Sequence, residues 1–196
     1  RPIRESLNTV RHDSVLPWVL STYAVLLCFS PSPALMLPVF AVSVLHATPE
    51  HLGFLFSSIG IGSIVGAILL AAHGRDARKG QLHIAGVLLS SVALAGFALS
   101  RHLQYSVAAL LVLGIGQSVA ATSAMTLLQM RVSAAIRGRA MSLNTLLVMG
   151  LRPLGDFPLG ALMSALGAPT AVLLGAFLIG AYGSAIEFLR PSIHSA

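Results

Sequence analysis

Arg152 and Asp156 stand four residues apart in an otherwise apolar stretch, Leu151-Arg152-Pro153-Leu154-Gly155-Asp156-Phe157-Pro158. Residues at i and i+4 share a helical face, and a lone charge at membrane depth is costly, so the two are expected to pair. An aspartate partnered by an arginine can release and accept a proton as the partner moves, which is the chemistry of ion and substrate pathways. The same pair can instead be a static lock between helices, and the residue types leave both readings open. Other polar side chains inside apolar stretches are Gln117, Thr122, Ser123, Thr126, Gln129 and Asn144. Each can bond between helices or meet a ligand. Gln117 stands out because Gly114 and Gly116 reduce the bulk beside it, and Arg152, Asp156, Gln117 and Asn144 are the candidates for a substrate or ion pathway.

Other chemistries find little support. His46, Glu50 and His51 crowd one loop, but their spacing fits no zinc motif and Pro49 prevents one regular helix from carrying all three, so no metal site is expected. There is no nucleophile elbow, phosphate loop or HExxH string, so neither catalytic residues nor a cofactor are assigned and the chain is not read as an enzyme. Gly60-Ile61-Gly62-Ser63-Ile64-Val65-Gly66 superficially resembles a dinucleotide loop, yet no strand precedes it and no acid follows about 20 residues later. The single cysteine, Cys28, lies in an apolar run and reads as a small buried hydrophobe.

The elements that must position these residues are membrane helices. With 56% hydrophobic and 9% charged residues, the chain has too little polar surface to cover a soluble globule. A net charge of +6 would suit nucleic acid, but the basic residues form short clusters between apolar runs without interleaved aromatics, so no nucleic-acid partner is expected. A bilayer core needs roughly 20 apolar residues per helix. Six segments qualify: approximately Val15 to Leu45, Leu52 to Ala72, Gln81 to Ser100, Ser106 to Met130, Ala140 to Ala165 and Pro169 to Phe188. The fold expected is an all-α membrane protein, with a lead-in over 1–14, a six-helix bundle over 15–189 and a tail over 190–196.

The charges orient the bundle. Placing the N-terminus in the cytoplasm puts Arg1, Arg4, Arg11, Arg75, Arg78, Lys79, Arg131, Arg137, Arg139 and Arg190 inside and only Arg101 outside, with Arg152 intramembrane. The positive-inside rule then predicts that both termini are cytoplasmic. From an inner boundary near Ala140, a rise of about 1.5 Å per residue puts Arg152 roughly 18 Å and Asp156 roughly 24 Å deep.

Two spans carry further signals. Pro17, Pro31, Pro33 and Pro38 interrupt the first, and Ser30-Pro31-Ser32-Pro33 is expected to loosen it near mid-membrane. Backbone groups freed there must face protein or water, as in a kinked packing helix or a gating helix whose break lines a cavity. In the second span Ser58, Gly62 and Gly66 recur every four residues, giving a small-residue face for close helix packing.

Three stretches together resemble the C-terminal half of a Major Facilitator Superfamily transporter. Pro38 to Ala41 through Gly53, followed by Ser58 to Ala67, is similar to the seventh and eighth helices of that family. Arg137 to Leu143 resembles the basic turn before its eleventh helix, and Met149 to Gly155 that helix's interior. The nearest likeness is to the bacterial efflux branch that contains enterobactin-exporter-like proteins. Gly74 to Gly80 is similar to the superfamily's cytoplasmic D-R-x-G-R-K signature, with Ala77 replacing the arginine after Asp76 and Gly80 one position late.

The resemblance implies a half bundle of 3+3 inverted repeats that rocks against a matching N-terminal six-helix half, here missing, with substrate near the midplane. It further implies proton-coupled efflux of small amphipathic or siderophore-like molecules across a bacterial inner membrane. Asp76, Arg78, Arg137 and Arg139 become candidates for the cytoplasmic gate. The abrupt start at Arg1, without a visible signal peptide, raises the expectation that the chain is part of a longer protein. The alternative is a structural or assembly subunit in which the glycine face and the charge pair serve packing alone.

Overall fold

In the computed structural model of the chain, the described residues are 13, 15–46, 48–73, 78–132 and 137–189, and they form seven helices without strands. These are α1 (Leu16–Phe29), α2 (Pro33–Ser43), α3 (Pro49–His73), α4 (Lys79–Leu99), α5 (Leu103–Arg131), α6 (Arg137–Leu166) and α7 (Ala168–Leu189). α1 and α2 together make one span interrupted at Ser30 to Ser32. Pro31 and Pro33 lack N–H groups and cannot continue the hydrogen-bond ladder of α1. Ser32 then serves as N-cap of α2, its hydroxyl accepting from the Leu35 N–H at 3.3 Å.

Five rods are long and apolar enough to cross a membrane: 16–43, 49–72, 79–99, 103–131 and 168–189. The expectation of six differs at α6, which has 30 residues but is the least apolar of the helices. Its polar and charged residues dilute the apolar run, and Pro153 and Pro158 each remove a helix hydrogen bond.

Close backbone approach holds the bundle together. α5 packs on α3 and α4, α4 packs on α7, and α1 lies among α4, α5, α6 and α7. A Cβ on Gly62 would overlap the Leu111 carbonyl of α5, and one on Gly114 would overlap the Ile59 carbonyl of α3. At the α4 and α5 crossing, a Cβ on Gly86 would sit 2.7 Å from the Ala120 nitrogen. In lipid no hydrophobic drive separates helix faces from solvent, so dispersion between closely packed backbones must supply the association. The core around Phe40, Phe97, Met36, Leu94 and Leu110 is fully buried, whereas Phe54, Ile64, Leu154 and Phe157 point outward. Outward apolar residues on this scale suit a lipid or helix environment rather than water.

One polar clamp closes one end of the bundle. Asp13 Oδ1 accepts from the Val15 and Leu16 N–H groups at 2.8 and 2.9 Å, capping α1, and lies 3.3 Å from Arg131 Nη1 at the end of α5. Burial raises the carboxyl pKa, but the two backbone donors and the Arg131 charge outweigh it and hold the group below its ordinary value.

Two predictions follow from these contacts. Gly62→Ala should lower stability by about 1–3 kcal/mol because the backbones cannot separate freely, whereas Gly60→Ala, with open space around it, should be neutral or slightly stabilising. Thermal unfolding of both variants in one detergent checks the contrast. For Asp13, a depressed folded pKa means that its stabilisation is complete above the unfolded value, 3.8, and is lost as pH falls through the lower folded value. Asp13→Asn should therefore flatten the fall of the unfolding midpoint between about pH 5 and pH 3.

Candidate functional site

The site is built where α6 crosses the broken span. Gly155 has no side chain, and a Cβ there would overlap the Cys28 carbonyl, so the end of α1 runs directly against α6. The Cys28 thiol points to the Leu151 carbonyl at 3.9 Å on the same crossing. Four residues past Cys28 the chain reaches Ser32, whose backbone N–H donates to Asp156 Oδ1 at 2.8 Å. The carboxylate thus satisfies a donor that the proline break set free, at the N-terminus of α2 where negative charge is favoured. Counting about 1.5 Å per residue from Leu16 puts Ser32 about 24 Å along the span, matching the depth expected for Asp156.

Arg152 is not the partner of Asp156. Arg131 pairs with Asp13, whereas Arg152 and Asp156, both described, form no ion pair, so the i, i+4 pair that the spacing allows is not made. Local spacing permits that pair, but Gly155 brings a backbone N–H to the carboxylate first.

Arg152 instead lines a cavity of about 270 Å³ between α1, α3, α5 and α6. Its polar neighbours there are Tyr23, Ser63, Gln117, Ser118 and Thr122, and Leu26, Leu27 and Ala121 give it an apolar wall. Gln117 Nε2 donates to the Ser30 hydroxyl at 3.0 Å, which ties α5 to the break from the other side. Ser63 donates to the Ile59 carbonyl of its own helix at 2.9 Å. Gln117 and Asp156 therefore hold the interruption at Ser30 and Ser32, and Gln117 also lines the cavity that Arg152 enters. Of the small-residue stripe, Gly62 and Gly66 face α5 at Leu111 and Ile115, while the buried Ser58 bonds the Phe54 carbonyl within α3.

A further polar group went unnoticed in the sequence. His83, in the first turns of α4, is fully buried. Its Nδ1 lies 2.9 Å from the Ala120 carbonyl of α5, and its Nε2 lies 2.8 Å from the Thr22 hydroxyl of α1. A carbonyl only accepts, so in the neutral ring Nδ1 carries the hydrogen and Nε2 accepts from Thr22. The ring also meets Tyr23 edge-on at 6.4 Å between centroids, linking this three-helix staple to the cavity wall. An ionisable residue inside an apolar run was the available signal.

Several expected residues lie elsewhere. Arg78 is exposed and is the N-cap of α4. Asp76 and the side chains of Arg137, Arg139 and Asn144 lie outside the described residues. His51 Nδ1 is engaged with the backbone N–H and hydroxyl of Thr48 at the start of α3, which gives that histidine a capping role.

Five membrane-length rods among the described residues make this a multi-pass membrane protein, and a polar cavity beside a broken helix is the kind of place where membrane transporters hold cargo. The profile of the Major Facilitator Superfamily matches residues 1–155, and the chain belongs to that family. Members are transporters rather than enzymes. No curated protein and no solved structure matches the chain.

The Ser32 donor can be removed almost alone. Ser32 has φ −62°, which proline adopts without strain. Ser32→Pro deletes both the N–H and the capping hydroxyl, while Ser32→Ala deletes only the hydroxyl. The proline variant should be less stable than the alanine variant by about 1.5–3 kcal/mol, the range for a hydrogen bond to a charged group. Equal unfolding midpoints would mean that the Asp156 contact contributes nothing.

Proposed function

We propose that the chain is the C-terminal six-helix half of a proton-coupled Major Facilitator exporter in a bacterial inner membrane, related to the enterobactin-exporter-like branch. In this reading α6 is the sixth span, the six form a 3+3 inverted repeat, and both termini are cytoplasmic. The ten-to-one division of basic residues supports that orientation. The half works by rocking against a matching N-terminal half, alternately opening a central cavity to each side. Its cargo is a small amphipathic or siderophore-like molecule, with Arg152, Gln117 and Asn144 along the substrate path.

The observation that carries the reading is the carboxylate of Asp156 on the Ser32 N–H at the break. Protonation of Asp156 removes the charge that strengthens this bond, and the start of α2 is released. Deprotonation restores the bond and refastens the break. A proton is thereby linked to the geometry of the span that walls the cavity, which is what coupling requires. Asp76, Arg78, Arg137 and Arg139 are assigned to the cytoplasmic gate, where helix ends would separate in the inward-open state.

Asp156→Asn in the complete protein tests the coupling. Reconstituted in vesicles with an imposed pH gradient, it should insert normally and lose proton-driven flux of its substrate by about 100-fold or more, as expected when a proton-carrying group is removed. Because Arg152 is not its ion-pair partner, adding Arg152→Gln should not restore the loss. Undiminished gradient-driven flux would exclude Asp156 as the coupling group, and a complete protein with no flux of any kind would favour the assembly-subunit alternative.

A further inference from the structure

Arg152 poses an electrostatic problem that the described part of the fold does not solve. Arginine stays charged at every accessible pH, and a guanidinium at membrane depth needs a counter-charge. The acid four residues away is held by Ser32, and Asp13 is held by Arg131. None of the cavity-lining residues is acidic, and Arg152 is the one charged side chain among them. Among the described residues, the cavity therefore presents a cation with no carboxylate facing it.

The remaining walls define the rest of the ligand. Leu26 and Leu27 form an apolar side, and one N–H of the Gln117 amide goes to Ser30, which leaves its second N–H as a donor and its carbonyl oxygen as an acceptor. Hydroxyls of Tyr23, Ser63 and Thr122 lie on the same wall system. A volume of about 270 Å³ is just below the ~300 Å³ lower end of small-molecule sites, so the ligand is small. From this arrangement we infer that the cavity takes an amphipathic organic anion, its carboxylate or other oxyanion on Arg152 and its apolar body against Leu26 and Leu27. The planar guanidinium is suited to a bidentate contact with such a group. This inference rests on the transporter reading and gives it a substrate class.

A charge series on one apolar body tests it in the complete protein. Binding of 4-phenylbutyrate, its methyl ester and 4-phenylbutylamine is measured by calorimetry in a single detergent, which holds nonspecific partitioning nearly constant. The acid should bind, the ester should bind at least about tenfold more weakly, and the amine should not compete. Arg152→Gln should weaken the acid by about tenfold or more and leave the ester unchanged, and Arg152→Lys should retain part of the affinity. Should Arg152→Gln elute as aggregate, the charge series on the wild-type protein together with Arg152→Lys still decides.

Equal binding of acid and ester, an unaltered affinity in Arg152→Gln, or no binding of the acid would overturn the anion site. An unaltered affinity is also the result expected if a carboxylate from elsewhere in the protein neutralises Arg152. The two readings fail separately: gradient-driven flux of a neutral or cationic cargo with no anion preference would leave the transporter standing and remove the anion class. Arg152-dependent binding of the acid without gradient-driven flux would do the reverse.

Discussion

In a membrane every backbone N–H and C=O must find a partner inside the protein, and the break in the first span is where this chain meets that demand most sharply. Pro31 and Pro33 stop α1 from continuing, so Ser32 presents an N–H without a helical partner inside the span. Asp156 supplies the acceptor from α6, and Gln117 reaches the Ser30 hydroxyl from α5. Without these two side chains the half-buried Ser32 N–H and the buried Ser30 hydroxyl would lose these partners. The break therefore dictates which helices must converge on it, and the cavity is the space left between them.

That convergence in turn needs backbones that come close. Gly155 admits α1 at Cys28, and Gly175 of α7 admits it at Phe29 one residue later. A helix seated on two glycines at its last turn is fixed in position just before its ladder ends. Asp156, next in sequence to Gly155, is thereby delivered to Ser32 rather than to solvent or to Arg152. Packing and polar chemistry are thus set by adjacent residues of one helix.

Much of this was legible from sequence, and the parts that were not share one physical reason. Apolar run length located the rods, and the proline spacing located the interruption, because both are local properties of the chain. The i, i+4 rule also located Arg152 and Asp156 on one face, yet it assigned the wrong partner. Ser32 lies 124 residues from Asp156, and only the crossing at Gly155 brings them together. His83 was missed because it stands just after a basic loop, where a polar residue looks like a boundary. Its burial depends on Thr22 and Ala120, which come from two other helices. The relative polarity of α6 was visible in its charges and prolines, but the count of apolar spans treated it like the others.

The separation of Arg152 from Asp156 changes what each can do. A tight ion pair neutralises both members, so that neither calls for a ligand while the pair is intact. Here the carboxylate is bonded instead to a main-chain donor at the break between α1 and α2. The guanidinium is left lining a cavity, where in the proposed reading its charge meets the cargo. On the proposed reading, a proton on Asp156 and a cargo on Arg152 both act on the broken span, the first through Ser32 and the second through the cavity that Tyr23, Leu26 and Leu27 line. In the proposed reading, occupancy of either position biases the same element, which is the requirement for coupling two ligands through one conformational change.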